Sequence, residues 1–257
     1  MNKIGLVLSG GGARGFAHLG LLQALDELNI RPDAISGTSA GSIVGAFYAA
    51  GNKPKDILAF MRGNSYFKWS NFLLHKDGFF SMQPLSDMLK KYITHDSFET
   101  LSIKLFVTVT DFTKNKSLTY SKGPLFQSII ASSSVPVIFE PVSKDESLLV
   151  DGGILNNFPV EPLKKNCNKI IGSYVNKVEP MPGPAGRFGK THILERCFNM
   201  ASSIISYQKK SLCDIFIEPS LDKYTMFDNA QADIIYDIGY KAALEYQKEF
   251  RMLFKDH

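Results

Sequence analysis

Asp33-Ala-Ile-Ser-Gly37-Thr38-Ser39-Ala40-Gly41-Ser-Ile-Val-Gly-Ala-Phe-Tyr-Ala-Ala-Gly51 is the stretch that decides the fold. It reads as a short strand, a tight turn at Ser39 and an alanine-rich helix stopped by Gly51. Gly37 and Gly41 remove side chains where strand and helix would collide, so the backbone can hold Ser39 in a strained conformation with its hydroxyl outward. The helix that opens at Ala40 aims free N–H groups and the positive end of its dipole at that hydroxyl, favouring negative charge on it and on an attached acyl group. A serine placed this way is a nucleophile-elbow candidate. The pattern G-x-S-x-G by itself also fits an ordinary Gly/Ser loop, and the strand–turn–helix context is what separates the two.

Upstream, Lys3-Ile-Gly-Leu-Val-Leu-Ser9 is an apolar run of the kind that forms a buried parallel strand. It ends in Gly10-Gly11-Gly12-Ala13-Arg14-Gly15, ahead of a helix whose leucines recur at positions 19, 22, 25 and 28. Consecutive glycines let neighbouring N–H groups converge on one small anion, which suits either an oxyanion hole or a phosphate cradle. Gly10, Gly12 and Gly15 satisfy the dinucleotide fingerprint, but that reading needs an acid closing the second strand about 20 positions on. Here the second strand delivers Ser39, and Asp33 stands at its beginning. The loop is therefore read as the partner of the serine.

Downstream, Pro54 to Arg62 and Leu85 to Tyr92 read as helices, and Ile103 to Thr110 and Ser117 to Tyr120 as strands. Leu125 to Ser134 is a small-residue helix ended by Val135-Pro136. The strand Leu148-Leu-Val150 delivers Asp151-Gly152-Gly153. An acid at the C-terminal end of a strand lies where open α/β sheets put their chemistry, although Asp-Gly also makes plain turns. Lys169 to Val175 and Asp214 to Glu218 are further strands, Ile193 to Tyr207 is a helix, and a last amphipathic helix runs from about 232 to 254. Alternating strands and helices make this an α/β protein with a largely parallel central sheet. A 257-residue chain that is 44% hydrophobic is expected to form one domain, 1–257. Residues 64 to 82, with Tyr66, Phe67, Trp69, Phe72, Phe79 and Phe80, have no clean period. They read as core packing, or as an acyl-chain wall or membrane-touching flap.

The net charge of +4 is scattered, with no basic run interleaved with aromatics, so a nucleic-acid partner is not indicated, while anionic lipid is compatible. Cys167, Cys197 and Cys213 are an odd number without a C-x-x-C pair, which argues against a disulfide framework or zinc site and for reduced, mostly buried thiols. No run reaches the roughly 18 apolar residues of a membrane span. The N-terminal run is too short for a signal peptide, so the expected location is the cytoplasm, with at most reversible membrane-surface association.

Taken in order, Gly10-Gly11-Gly12-Ala13-Arg14-Gly15, Gly37-Thr38-Ser39-Ala40-Gly41 and Asp151-Gly152-Gly153 resemble the patatin-like phospholipase family. Each motif alone is weak, and the ordered set is specific. Ala131-Ser-Ser-Ser-Val-Pro136-Val-Ile-Phe139-Glu-Pro141 and Asn156-Asn157-Phe-Pro159 also look like the family's segments on either side of the acid, so the resemblance covers roughly residues 3–160. It implies a three-layer α/β/α fold and a Ser39–Asp151 dyad that hydrolyses lipid acyl esters with no metal or cofactor. The chemistry of the residues agrees: Ser39 attacks, Asp151 takes its proton, and N–H groups of Gly11 and Gly12, with Gly10 as a third candidate, hold the oxyanion. Arg14 either orders the loop or attracts phosphate. A histidine triad would draw on His18, His75, His95, His192 or His257, none of which follows the acid in a signature context; His18 lies nearest the glycine loop. The functional alternatives are a non-catalytic lipid- or protein-binding adaptor on the same fold, and acyl transfer or thioester cleavage by the same site.

Overall fold

The computed structural model describes residues 3–63, 80–180 and 189–253. Its strands are β1 Ile4–Leu8, β2 Ala34–Thr38, β3 Lys104–Asp111, β4 Lys116–Tyr120, β5 Val142–Lys144, β6 Ser147–Asp151, β7 Lys169–Ser173 and β8 Ile215–Ile217. They form one sheet in the order β5-β6-β3-β2-β1-β7-β8, with β4 also paired to β3. From β3 to β8 the pairings are parallel, whereas β4, β5 and β6 run antiparallel to their neighbours. The helices are α1 Phe16–Glu27, α2 Ala40–Ala49, α3 Pro54–Gly63, α4 Gln83–Tyr92, α5 Leu125–Ser133, the single turns α6 Gly153–Asn156 and α7 Glu161–Lys164, then α8 Lys190–Gln208, α9 Ala232–Leu244 and α10 Gln247–Leu253.

Successive strand residues point to opposite faces, and the core divides accordingly. Leu6, Leu8, Ile35, Leu105, Val107, Ile171 and Ile215 pack on one face against leucines of α1 and against Val44 and Phe47 of α2. Val7, Ala34, Phe106, Ile170 and Phe216 pack on the other with Phe158, Val160, Leu163 and Tyr174. Burying each such Leu, Ile or Phe contributes about 1.5–3 kcal/mol, so a sheet covered on both sides is where this chain's apolar runs are most stable. Asp33 belongs to this scaffold: its carboxylate accepts from the Ile4 N–H at 2.7 Å, at the opposite end of β1 from the glycine loop.

The register places the candidate site. β2 pairs with β3 until Thr38 lies opposite Thr108, and β6 begins its pairing one residue later, with Asp151 opposite Val109. β4 overlaps both partners along 107–111 of β3 and so takes the other edge. β2 and β6 therefore lie end to end on one edge of β3, with their C-terminal ends facing each other. The acid-bearing strand is antiparallel, so Asp151 arrives at the carboxyl ends of the parallel strands from the opposite direction to that expected for an ordinary α/β strand.

Two expectations need correction. The last helix is broken at 245–246, where the Tyr246 N–H bonds back to Ala243 O in a tightened turn, and α10 restarts in a position that buries Phe250 completely. The thiols are free, but Cys197 is exposed and Cys167 and Cys213 are half-buried. The aromatic stretch lies outside the described residues up to Phe79; Phe80 forms a bridge to Phe139.

Candidate active site

Ser39 precedes α2 with φ 51 and ψ −124, a left-handed conformation that a non-glycine residue adopts only when its surroundings over-determine it. The surroundings are tight. A Cβ on Gly37 would lie 2.6 Å from the Gly41 backbone, and one on Gly41 would lie 2.2 Å from Leu8 O. The Ser39 N–H donates to Ser132 Oγ at 2.9 Å, and Ser132 Oγ donates to Thr108 O at 2.6 Å, so α5 braces the elbow against β3. At the far end of α2, Gly51 has φ +96, which only glycine adopts without cost, and the helix stops there.

Asp151 is 2% exposed, and its Oδ1 accepts from the Gly153 N–H at 2.7 Å. Burial pushes its carboxyl up from 3.8 to about 6, against the lowering effects of the Ser39 hydroxyl beside it and the Gly153 N–H. Oδ2 is sealed from solvent with no hydrogen-bond partner within ordinary geometry among the described residues, although the Ser39 hydroxyl is near enough to lower the carboxyl's pKa. Gly152 is required by space, since a Cβ there would lie 2.3 Å from Thr108 O.

The glycine loop lies against the serine. A Cβ on Gly10 would be 3.1 Å from Ser39 Cβ, and one on Gly15 would be 2.7 Å from Ala40 Cβ. The Gly10 N–H donates to Asn157 O at 3.3 Å, which withdraws Gly10 from the expected set of three oxyanion donors. Among the described residues, no acceptor takes the N–H of Gly11 or Gly12. Asn176 Nδ2 holds the loop from behind through Gly10 O at 2.5 Å.

Arg14 is the clamp of this loop. It is 6% exposed, pairs with Glu195 of α8 at 2.9 Å and reaches Tyr224 O at 3.3 Å. Glu195 also accepts from the Met226 N–H at 2.8 Å, and Met226 O accepts from the Ala13 N–H at 2.9 Å. Burial lowers the guanidinium's pKa and Glu195 opposes that shift, so the pair is a structural one and leaves no free cation for phosphate. His18 is likewise committed. Its Nε2 donates to Ser9 O and its Nδ1 accepts from Ser173 Oγ, both at 2.9 Å, and complete burial lowers its pKa to about 4. Both ring nitrogens are occupied away from Ser39. Ser132, Glu195 and Asn176 were not picked out by sequence reasoning, because their partners lie far away along the chain.

Ser39 opens on a cavity of about 90 Å³ walled by apolar side chains, among them Ile43, Val44, Met61, Met82, Leu85 and Met88. A second apolar cavity of about 660 Å³ shares Val135, Met226 and Phe227 with it and continues past Val137, Ile154, Leu194 and Phe198.

A family profile described as patatin-like phospholipase matches residues 6–164, more than half of the chain. The chain belongs to that family. It is 35% identical over 189 residues to the patatin-like phospholipase domain-containing protein ZK370.4 of Caenorhabditis elegans, covering 69% of this chain and 14% of that one. It is 29% identical over 269 residues to lysophospholipase NTE1 of Candida glabrata, covering 92% of this chain and 15% of that one. The chain thus spans about one seventh of the length of these two relatives. Among solved structures, VipD from Legionella pneumophila shares the fold, with a TM-score of 0.55 at 17% identity over 96% of this chain and 67% of that one.

Proposed function

We propose that the protein is a serine hydrolase of lipid acyl esters, working through a Ser39–Asp151 dyad with the Gly11 and Gly12 N–H groups as oxyanion hole. The observation that carries this reading is the meeting of β2 and β6 on one edge of β3, which sets a strained serine beside a buried carboxyl. Ser39 Oγ attacks the ester carbonyl carbon while its proton passes to Asp151. The carbonyl oxygen becomes an oxyanion, and each donor to it contributes about 3–4 kcal/mol in the transition state. Collapse breaks the ester C–O bond, with Asp151 returning the proton to the leaving alcohol. Water, deprotonated by the same carboxyl, then releases the fatty acid and restores Ser39.

A carboxyl near 3.9 is a weak base for a hydroxyl, and its rise to about 6 brings Asp151 closer to the working pH. The apolar cavity opening on Ser39 favours an acyl chain over a polar ester. No helix among the described residues is long and apolar enough to cross a membrane. The test is a panel of short-chain esters, lysophospholipids and phospholipids presented to wild type, Ser39→Ala and Asp151→Asn. Turnover by wild type that both variants lose supports the dyad, and undiminished turnover in Ser39→Ala means another site acts. A folded wild type that binds lipid and cleaves none of the panel favours the adaptor reading.

A further inference from the structure

The faces of α8 are reversed relative to an ordinary surface helix. Glu195, Asn199, Ser202 and Ser206 recur at helical spacing on the side packed against the protein, each no more than 8% exposed. Ile193, Leu194, Met200, Ile204 and Ile205 recur on the opposite side, between 42% and 66% exposed, with exposed Cys197 among them. A surface helix usually turns its apolar stripe to the core, and a contiguous exposed stripe marks a surface that meets apolar material. The helix cannot roll to hide these side chains without breaking the buried Glu195–Arg14 pair that clamps the glycine loop.

Two further observations identify what the stripe meets. Leu194 continues it into the 660 Å³ cavity, whose other lip carries Val137, 71% exposed and held at φ 71. That cavity shares a wall with the one on Ser39, so the apolar surface is continuous from the helix to the candidate nucleophile. In charge, the sequence from Arg196 to Cys213 contains no Asp or Glu and carries Arg196 and Lys210, while Lys209 turns inward, 13% exposed, to pair with Glu161. An apolar stripe on a helix segment that carries positive and no negative side chains of its own complements an anionic lipid surface.

We propose that the outward face of α8 docks the protein on an anionic bilayer, with the Val137–Leu194 mouth against the membrane, so that lipid reaches Ser39 without crossing water. The docking deepens the lipid-hydrolase reading and rests on it for the purpose of the mouth. The test uses the full chain and vesicles of phosphatidylcholine with phosphatidylglycerol, followed by co-sedimentation, together with turnover of a soluble short-chain ester. Met200→Glu combined with Ile204→Glu should lower vesicle partitioning by about tenfold or more, because two apolar anchors become charged, and should leave soluble-ester turnover unchanged. An environment-sensitive label on Cys197 of the otherwise unaltered chain should shift blue on vesicles, with the signal absent from Cys197→Ser. Wild-type vesicle binding by the double variant would overturn the proposal. So would an unshifted label on vesicle-bound protein, or sedimentation showing that the stripe holds two copies of the chain together. Vesicle binding that the double variant loses, in a protein with no ester turnover at all, supports the docking and removes the hydrolase reading instead.

Discussion

Asp151→Asn should make the protein more stable while disabling it. Burial raises the Asp151 carboxyl from 3.8 to about 6. Between those values the folded protein keeps a proton that the unfolded chain has released, so stability falls as pH rises through that window. At about 1.36 kcal/mol per pKa unit, the loss reaches about 3 kcal/mol and stays at that level at neutral pH. Asparagine removes the buried charge and keeps an oxygen for the Gly153 N–H. His18 complicates the wild-type curve, because burial lowers it from 6.5 to about 4. The unfolded chain binds that proton first, so the His18 contribution is lost as pH falls from 6.5 towards about 4, opposing Asp151 over much the same range. The difference between variant and wild type cancels His18 and isolates Asp151. Urea unfolding of both proteins from about pH 4 to about pH 8 should give a difference near zero at the acid end, growing to about 3 kcal/mol in favour of the variant. Turnover in the variant should fall by about 10²–10⁴-fold, the usual contribution of a general base. A variant less stable than wild type at neutral pH, or a difference that ignores pH, would refute the reasoning.

Gly11→Ala should lower kcat by about 10²–10³-fold with a smaller change in KM, since an oxyanion hole acts mainly in the transition state; steady-state kinetics on a soluble ester checks the split. The added Cβ would meet side-chain atoms, the Val175 Cγ2 methyl at 2.6 Å and Asn176 Oδ1 at 3.0 Å, whereas on Gly12, at φ +57, it would meet backbone, Met226 O at 2.4 Å, so Gly11 is the cleaner probe. Ser132→Ala removes the acceptor of the Ser39 N–H and the donor to Thr108 O. It should cost about 1–3 kcal/mol in urea unfolding and lower kcat through a looser elbow. His18→Gln disturbs two buried hydrogen bonds, and should lower the melting temperature while leaving turnover per folded molecule within about tenfold. Loss by several orders of magnitude in a folded His18 variant would mean that imidazole takes part.

The elbow was legible because everything that makes it is local: two glycines two positions from Ser39, and a helix beginning at the next residue. Asp151 does close its strand as the sequence suggests, but that strand is antiparallel to β3 and not one of the parallel strands on which the expectation rested. Its hairpin partner β5 is only three residues long, Val142–Lys144, and turns at Asp145 with φ 51, too little chain for an alternation to register. The braces were illegible for a different reason. Ser132 meets Ser39 across 93 positions and Asn176 meets Gly10 across 166, and no propensity or period encodes a contact at such separations. Amphipathicity in α8 could be read from its spacing, but a period does not say which face turns inward, and here the polar one does.

The central claim is that Ser39 is the nucleophile, and covalent capture tests it most directly. Incubation with a fluorophosphonate, followed by proteolysis and mass spectrometry, should find one adduct on the peptide containing Ser39. Labelling should be absent from Ser39→Ala, and slowed in Asp151→Asn in step with its loss of turnover. An adduct on any other residue, or ester hydrolysis that continues in wild type while Ser39 stays unmodified, would contradict the account.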